Sequence, residues 1–400
     1  MFFSISTEKF DNRFFIHHKI SQYYISLDSG WQQTNINGKE VFYKGYCDTL
    51  DMSAVAADFA VDSTPRYTGN FGIIVVDNNS LVLSNDIPRS FPLNINNGFL
   101  TNLTTKNSSR SIWTDEYVIY NQKNIELAKI DILKDLDLNF DESLTLDDCA
   151  ARVKKIIDDK LDFVKRSSLD KKVFLTGGVD TTLLYAISQS RLNDVEVVNY
   201  EHLDYDKFLL KNYSHLRKEY AIYGQGQWCS REPTIVFSGA PGDEFFLRGP
   251  FMAGLWSSWH NFDLIEMFNL NQNCYHRTHY FQDGVKKVIE DHYANQQNIK
   301  STYQTYREVC LYILDNCAND HQVWHLNNTL TWSPFKDLKI LATILKLNKD
   351  DLLDQIIDAK FSKHLISLYD SDLLSLMDRH KNEDNFDNLL SHPEIGKLFE

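Results

Sequence analysis

The segment KKVFLTGGVDTTLLYA, residues 171–186, sets two glycines, an acid and three threonines after a short apolar run. Val173, Phe174 and Leu175 suit a buried strand, and Leu183, Leu184, Ala186 and Ile187 carry helical spacing. Gly177 and Gly178 could form an ordinary turn. A strand before them and a helix after them instead predict a junction with unpaired N–H groups at a helix N-terminus, where an anion can approach the main chain closely. Thr176, Thr181 and Thr182 add hydroxyl donors. Asp180 would repel a phosphate unless a divalent cation stood between them, so the predicted chemistry is capture of a metal-bound polyphosphate. The lysine and longer spacing of a Walker A loop are missing.

VFSGAPGDEFFLRG, residues 236–249, repeats the design: a strand ending in the small residues Ser238 and Gly239, then Asp243 and Glu244. Asp243 can join Asp180 as an oxygen ligand for Mg2+, which commonly takes one or two carboxylates and completes its shell with phosphate and water. Capping of the next helix by the two acids is the alternative, and it is compatible with metal binding.

Both loops need a sheet to hold them. Apolar runs in KKVFLTGG, DVEVVNYEH and PTIVFSG, separated by helical segments, alternate as in a doubly wound parallel sheet, whose ligands bind at the carboxyl ends of strands. Thr145 and Asp148 predict a capping box, after which Val153, Ile156, Ile157, Leu161 and Val164 mark a helix up to Lys165. From residue 251 the pattern is mostly helical, with DLKILATILKL and DDLLDQIIDAKFSKHLISLY the most regular stretches. Before residue 110 it is strand-rich, with EVFYKGY and GNFGIIVVDNNSLVLSND, the latter turning at residues 77–80. The polar stretch 101–111 marks a boundary, giving domains 1–111 and 146–400 joined by a connection over 112–145.

Four hundred residues, 43% hydrophobic and 13% aromatic, are ample for two packed domains or one large one. The net charge of -14 counts against nucleic acid and anionic membranes as partners and favours small-molecule or protein substrates. No basic segment followed by an apolar core opens the sequence, and no apolar run approaches the roughly 20 residues that span a bilayer, so a cytoplasmic location is expected. The 6 cysteines are scattered without a C-x-x-C pair, as reduced thiols are. Cys274, His276 and His279 in NCYHRTH match no zinc spacing, and YGQGQW at 223–228 lacks the third glycine of a dinucleotide loop.

Thr176-Gly177-Gly178-Val179-Asp180-Thr181 resembles the Ser-Gly-Gly-x-Asp-Ser loop of ATP pyrophosphatases, with threonine twice in place of serine. Ser238, Gly239, Asp243 and Glu244 resemble the Ser-Gly-x-Gly-x-Asp-Glu segment of the asparagine synthetase and β-lactam synthetase family, with Pro241 departing from it. In WSPFKD, Pro334, Phe335 and Asp337 match the family's Arg-x-Pro-Phe-x-Asp, and Trp332 stands where the arginine is expected. KHLISLYDSDLLSLMDRHKNEDNF is similar to the family's closing segment, and Lys381 falls nearest the lysine that stabilises the adenylate there. A solvated surface lysine is the alternative for Lys381. The resemblance covers roughly residues 146–385. More weakly, GNFGIIVVDNNSLVLSNDIPRSFPL looks like a strand pair of the class II glutaminase domain, with Asp86, Pro92 and Leu93 matching. That glutaminase uses a cysteine as first residue, whose own α-amine is the base. This sequence reads Met-Phe-Phe and has no cysteine before Cys47, so a degenerate domain without glutaminase activity is expected.

The resemblance implies an α/β protein: an N-terminal Ntn-like α+β domain, then a doubly wound parallel-sheet PP-loop synthetase domain with a helical C-terminal part. It implies ATP and Mg2+, with ATP bound by Thr176, Gly177, Gly178, Asp180, Thr181, Thr182, Ser238 and Gly239, the metal held by Asp180 and Asp243, and Lys381 catalytic. The implied activity is an AMP-forming carbon–nitrogen ligase that adenylates a small-molecule or peptide carboxylate and passes the acyl group to ammonia or a substrate amine. Ala240 stands where asparagine synthetases have a glutamate, and with Trp332 it predicts a pocket less charged than an aspartate site. A macrolactam-forming cyclase, a nucleotide-binding protein that has lost catalysis and a PP-loop tRNA-modifying enzyme are alternatives. The last is disfavoured by the acidic charge and unpaired cysteines. A homodimer is compatible with this reading, and no membrane partner is expected.

Overall fold

Sheets sort the two halves of the chain by strand direction. The computed structural model describes residues 3–7, 16–64, 67–78, 80–87, 93–96, 99–101, 110–112, 116–121, 124–136, 144–174, 179–198, 234–239, 242–248 and 329–377. The N-terminal half runs β1 (Phe3–Ser6), β2 (Ile16–Ile20), β3 (Tyr23–Leu27), β4 (Gln32–Ile36), β5 (Lys39–Cys47), α1 (Met52–Val61), β6 (Gly69–Val76), β7 (Ser80–Asn85), β8 (Asn94–Asn96), β9 (Phe99–Thr101), β10 (Arg110–Ser111), β11 (Glu116–Asn121) and β12 (Asn124–Lys129). These strands form two six-stranded antiparallel sheets, ordered β10-β8-β9-β1-β3-β2 and β12-β11-β7-β6-β5-β4.

The unbroken apolar run of β6 follows from burial on both faces. Ile74 and Val76 join Phe42, Leu83 and Val118 in a core shared with Phe3, Ile5 and Ile25 of the other sheet. Phe71, Ile73 and Val75 point the opposite way, against Val55, Ala56 and Phe59 of α1. The expected turn after β6 is present, with the Asp77 N–H donating to the Ser80 carbonyl at 2.8 Å. Residues 116–129 lie in the stretch expected as a connection. There β11 and β12 form a hairpin that extends the sheet through β7, its residues alternating in burial along β11.

The C-terminal half runs α2 (Leu146–Arg166), β13 (Asp170–Phe174), α3 (Val179–Arg191), β14 (Val195–Val198), β15 (Thr234–Phe237), α4 (Gly242–Phe245), β16 (Thr329–Trp332), α5 (Leu338–Ile344), α6 (Lys349–Asp358), α7 (Lys360–Ser367) and α8 (Ser371–Met377). Its four strands form a parallel sheet in the order β14-β13-β15-β16. The capping box opens α2 as expected: the Asp148 N–H donates to Thr145 Oγ1 at 3.2 Å and the Thr145 N–H donates to Asp148 Oδ2 at 3.1 Å. The protein is thus mixed α/β, with antiparallel sheets first and a small parallel sheet after them.

The halves meet through α2, where Phe163 stacks on Tyr46 of β5 at 4.2 Å. One turn earlier, buried Lys160 reaches Asp48 at 2.8 Å and Asp337 at 3.3 Å. Cys47 and Cys149 are buried free thiols, and burial pushes the Cys149 thiol up to about 11, so it stays protonated at neutral pH. Among the described residues no helix is long and apolar enough to cross a membrane.

The periodic stretch 350–369 is two helices, because Ala359 adopts a left-handed conformation (φ 56°) between α6 and α7. Buried Gln355 fastens this corner, donating to Ser362 Oγ at 3.0 Å and accepting from the Ser362 N–H at 3.0 Å. A left-handed alanine costs ~1–2 kcal/mol, part of which glycine loses again to unfolded-state entropy, so Ala359→Gly is expected to stabilise by about 0.5–1 kcal/mol. Urea denaturation midpoints check this.

Candidate functional site

The order β14-β13-β15-β16 makes the chain leave β13 toward one edge and return to its other side. That creates a topological switch point between β13 and β15. Just past the carboxyl end of β13, α3 begins at Val179, and Asp180 lies in its first turn. Past the end of β15, Ser238 and Gly239 lead into α4, which carries Asp243. The Ser238 N–H donates to the Trp332 carbonyl at 2.9 Å, and the Gly242 N–H closes a turn onto the Gly239 carbonyl at 2.7 Å.

The two acids converge on one cation. Arg248 Nη2 lies 2.6 Å from Asp180 Oδ2, Arg248 Nε donates to Asp243 Oδ1 at 2.7 Å, and Nη2 also contacts Asp243 Oδ1. The guanidinium is nearly buried, its side chain 9% exposed. Glycine makes this approach feasible. A Cβ on Gly242 would fall 2.7 Å from Asp180 Oδ2 and closer still to Oδ1 and Cγ, and one on Gly239 would fall 3.0 Å from Asp180 Cβ. Gly239 and Gly242, on either side of the turn after β15, both press against the Asp180 side chain, so glycine is required for close approach and not for φ.

Around this pair, Thr182 is fully buried and its Oγ1 has no hydrogen-bond partner among the described residues. Trp332 belongs to the core: its indole is fully buried, 4.9 Å from the Phe237 ring, with Nε1 unpartnered among the described residues. Phe335 packs edge-on against Phe246 at 5.1 Å. Asp337 caps α5 by accepting from the Lys339 N–H at 2.9 Å while it faces Lys160. The Pro-Phe-x-Asp match therefore carries packing and tethering roles here.

Asp180, Thr181, Thr182, Ser238, Gly239 and Asp243 all stand at the carboxyl side of β13 and β15. Thr176, Gly177, Gly178, Ala240, Pro241, Lys381, the Cys274-His276-His279 group and residues 223–228 lie outside the described residues. Arg248 escaped the sequence reading, although it is the only basic residue in VFSGAPGDEFFLRG. Two carboxylates close enough to share one guanidinium fit Mg2+, which needs no more protein ligands when phosphate completes its shell. Among the described residues no group of three or more His, Cys, Asp or Glu could hold a metal without such help. No known family model matches the chain, and no curated protein matches it.

Proposed function

We propose that the protein is an ATP-dependent, AMP-forming ligase that makes an amide bond, with its site at the β13–β15 switch point. The observation that carries this reading is the meeting of Asp180 and Asp243 there, each at the start of the helix that follows its strand. Open parallel sheets bind ligands outside the carboxyl ends of strands at such a point. The sequence resemblance to the asparagine synthetase and β-lactam synthetase family supports the same site, and it supplies the doubly wound PP-loop architecture and the Ntn-like first domain as part of the proposal.

In the proposed reaction a substrate carboxylate oxygen bonds to the α-phosphorus of ATP, the bond to the bridging oxygen breaks and pyrophosphate leaves. An amine or ammonia nitrogen then attacks the acyl carbon and AMP leaves. Asp180 and Asp243 would hold Mg2+, which when bound offsets charge on the phosphates. The N–H groups at the start of α3, with Thr176, Thr181 and Thr182, would donate to the pyrophosphate as its charge develops, and Lys381 would stabilise the acyl step. Trp332 places an indole in the core where the family has a cation, which favours a less charged substrate than aspartate.

Asp180→Asn and Asp243→Asn are each expected to lower Mg2+-dependent pyrophosphate release at least about tenfold, equivalent to roughly 1.4 kcal/mol of transition-state stabilisation. Unchanged rates in both would reduce the acids to helix capping and an arginine clamp.

A further inference from the structure

Arg248 reaches the acids because of an unusual turn. The Arg248 N–H donates to the Asp243 carbonyl at 2.7 Å and the Phe246 N–H to the Gly242 carbonyl at 2.9 Å, while Leu247 between them is left-handed at φ 51°. The first of these is the 6→1 bond of a Schellman cap, whose left-handed position normally belongs to glycine. A buried leucine there is strained by ~1–2 kcal/mol and needs outside support. The support is present: Gln355 donates to the Phe246 carbonyl at 2.8 Å, and the Phe246 ring packs against Phe335 and Phe361. The turn folds residue 248 back over residue 243, so the guanidinium lies across both carboxylates.

Resting on the ligase reading, we propose that Arg248 is a resident cation that keeps the Asp180–Asp243 pair closed to free metal and moves to a phosphate oxygen when a metal-polyphosphate enters. The electrostatics require an exchange. A guanidinium 2.6 Å from Asp180 and a divalent cation on the same oxygen would repel each other, so bare Mg2+ has to displace an arginine that gains nothing in return. A polyphosphate offers that planar guanidinium a pair of anionic oxygens for bidentate hydrogen bonding, a partner as good as the one it leaves. Metal and phosphate therefore bind together, and each alone binds weakly.

The test measures Mn2+ binding by the electron paramagnetic resonance of the free ion, with and without inorganic pyrophosphate, for wild type, Arg248→Gln and Arg248→Lys. Coupling between sites is typically 5–150-fold, so Arg248→Gln is expected to bind Mn2+ alone at least about tenfold tighter than wild type. Arg248→Lys keeps the charge and stays near wild type. Pyrophosphate should tighten Mn2+ binding strongly in wild type and much less in Arg248→Gln. If Arg248→Gln is destabilised, its melting temperature should rise more with added Mg2+ than that of wild type, because the uncovered acids now bind the ion. Unchanged or weaker Mn2+ binding by Arg248→Gln, or equal tightening by the lysine variant, would overturn the proposal. Wild type that ignores ATP while Arg248→Gln still gains Mn2+ affinity would count against the ligase reading and leave the arginine's role standing.

Discussion

Gly242→Ala is expected to lower pyrophosphate release about 100-fold, the typical result of a ~1 Å misplacement in a reacting site. Its new methyl group would arrive within 2.7 Å of the Asp180 carboxyl group. The clash can be relieved cheaply only by rotating that carboxylate away, because the atoms in the way are the end of a side chain and not backbone. The residue forced to move is thus the proposed metal ligand, and the fold is largely spared. Gly242 has no positive φ that alanine would strain, and it opens α4, where alanine is tolerated. Turnover and thermal melting measured together separate the outcomes: activity should collapse while the melting temperature shifts little. A variant that retains activity would show that the position of Asp180 does not matter to the reaction.

Lys160→Met is expected to destabilise the protein by about 3–5 kcal/mol, the usual result when one partner of a buried ion pair is removed. Lys160 on α2 is 4% exposed at its side chain, as is Asp48, and Asp337 is 10% exposed. Its ammonium also donates to the Lys336 carbonyl at 3.2 Å. Methionine fills similar volume but leaves two carboxylates facing each other without a cation. Burial pushes the Lys160 pKa down, yet Asp48 and Asp337 outweigh it and raise it above the ordinary 10.5. A raised lysine contributes its stability fully below the ordinary value and loses it only as pH rises through the folded one, so the deficit should be constant from about pH 6 to 9. The control is Lys155→Met: Lys155 pairs with Asp159 at 2.6 Å on the surface, at 74% and 61% exposure, and its loss should cost no more than about 0.5 kcal/mol. Guanidinium denaturation of both variants decides it, and a deficit under about 1 kcal/mol for Lys160→Met would deny that the buried cation ties the halves together.

The sequence disclosed the features governed by local rules. The capping box at residues 145 and 148 needs only three-residue spacing, and α2 continues with the predicted apolar stripe. The strand-to-helix junctions at Asp180 and Asp243 were legible because an apolar strand run, small residues and then helical spacing follow one another within a few residues. Features set by distant partners were hidden. β16 is the four residues TLTW, paired with β15 at the edge of the sheet and too short to distinguish from the surrounding helical pattern. β12 is half-exposed and polar, so it reads as a connection until β11 pairs with β7. The break at Ala359 has no glycine or proline to announce it, since the corner is held by Gln355 and Ser362. Arg248 was hidden for the same reason: its aim depends on left-handed Leu247, and that on Gln355, more than 100 residues away.

The proposed function turns on cleavage of ATP between its α and β phosphates. The most direct measurement incubates the protein with Mg2+ and ATP labelled at the α-phosphate, together with pools of amino acids, amino-carboxylates and small peptides, with and without ammonium, and separates the labelled products. Labelled AMP with stoichiometric pyrophosphate, dependent on one of the carboxylate pools, is the predicted result. Labelled ADP with inorganic phosphate would contradict it, as would bound ATP left intact with every pool.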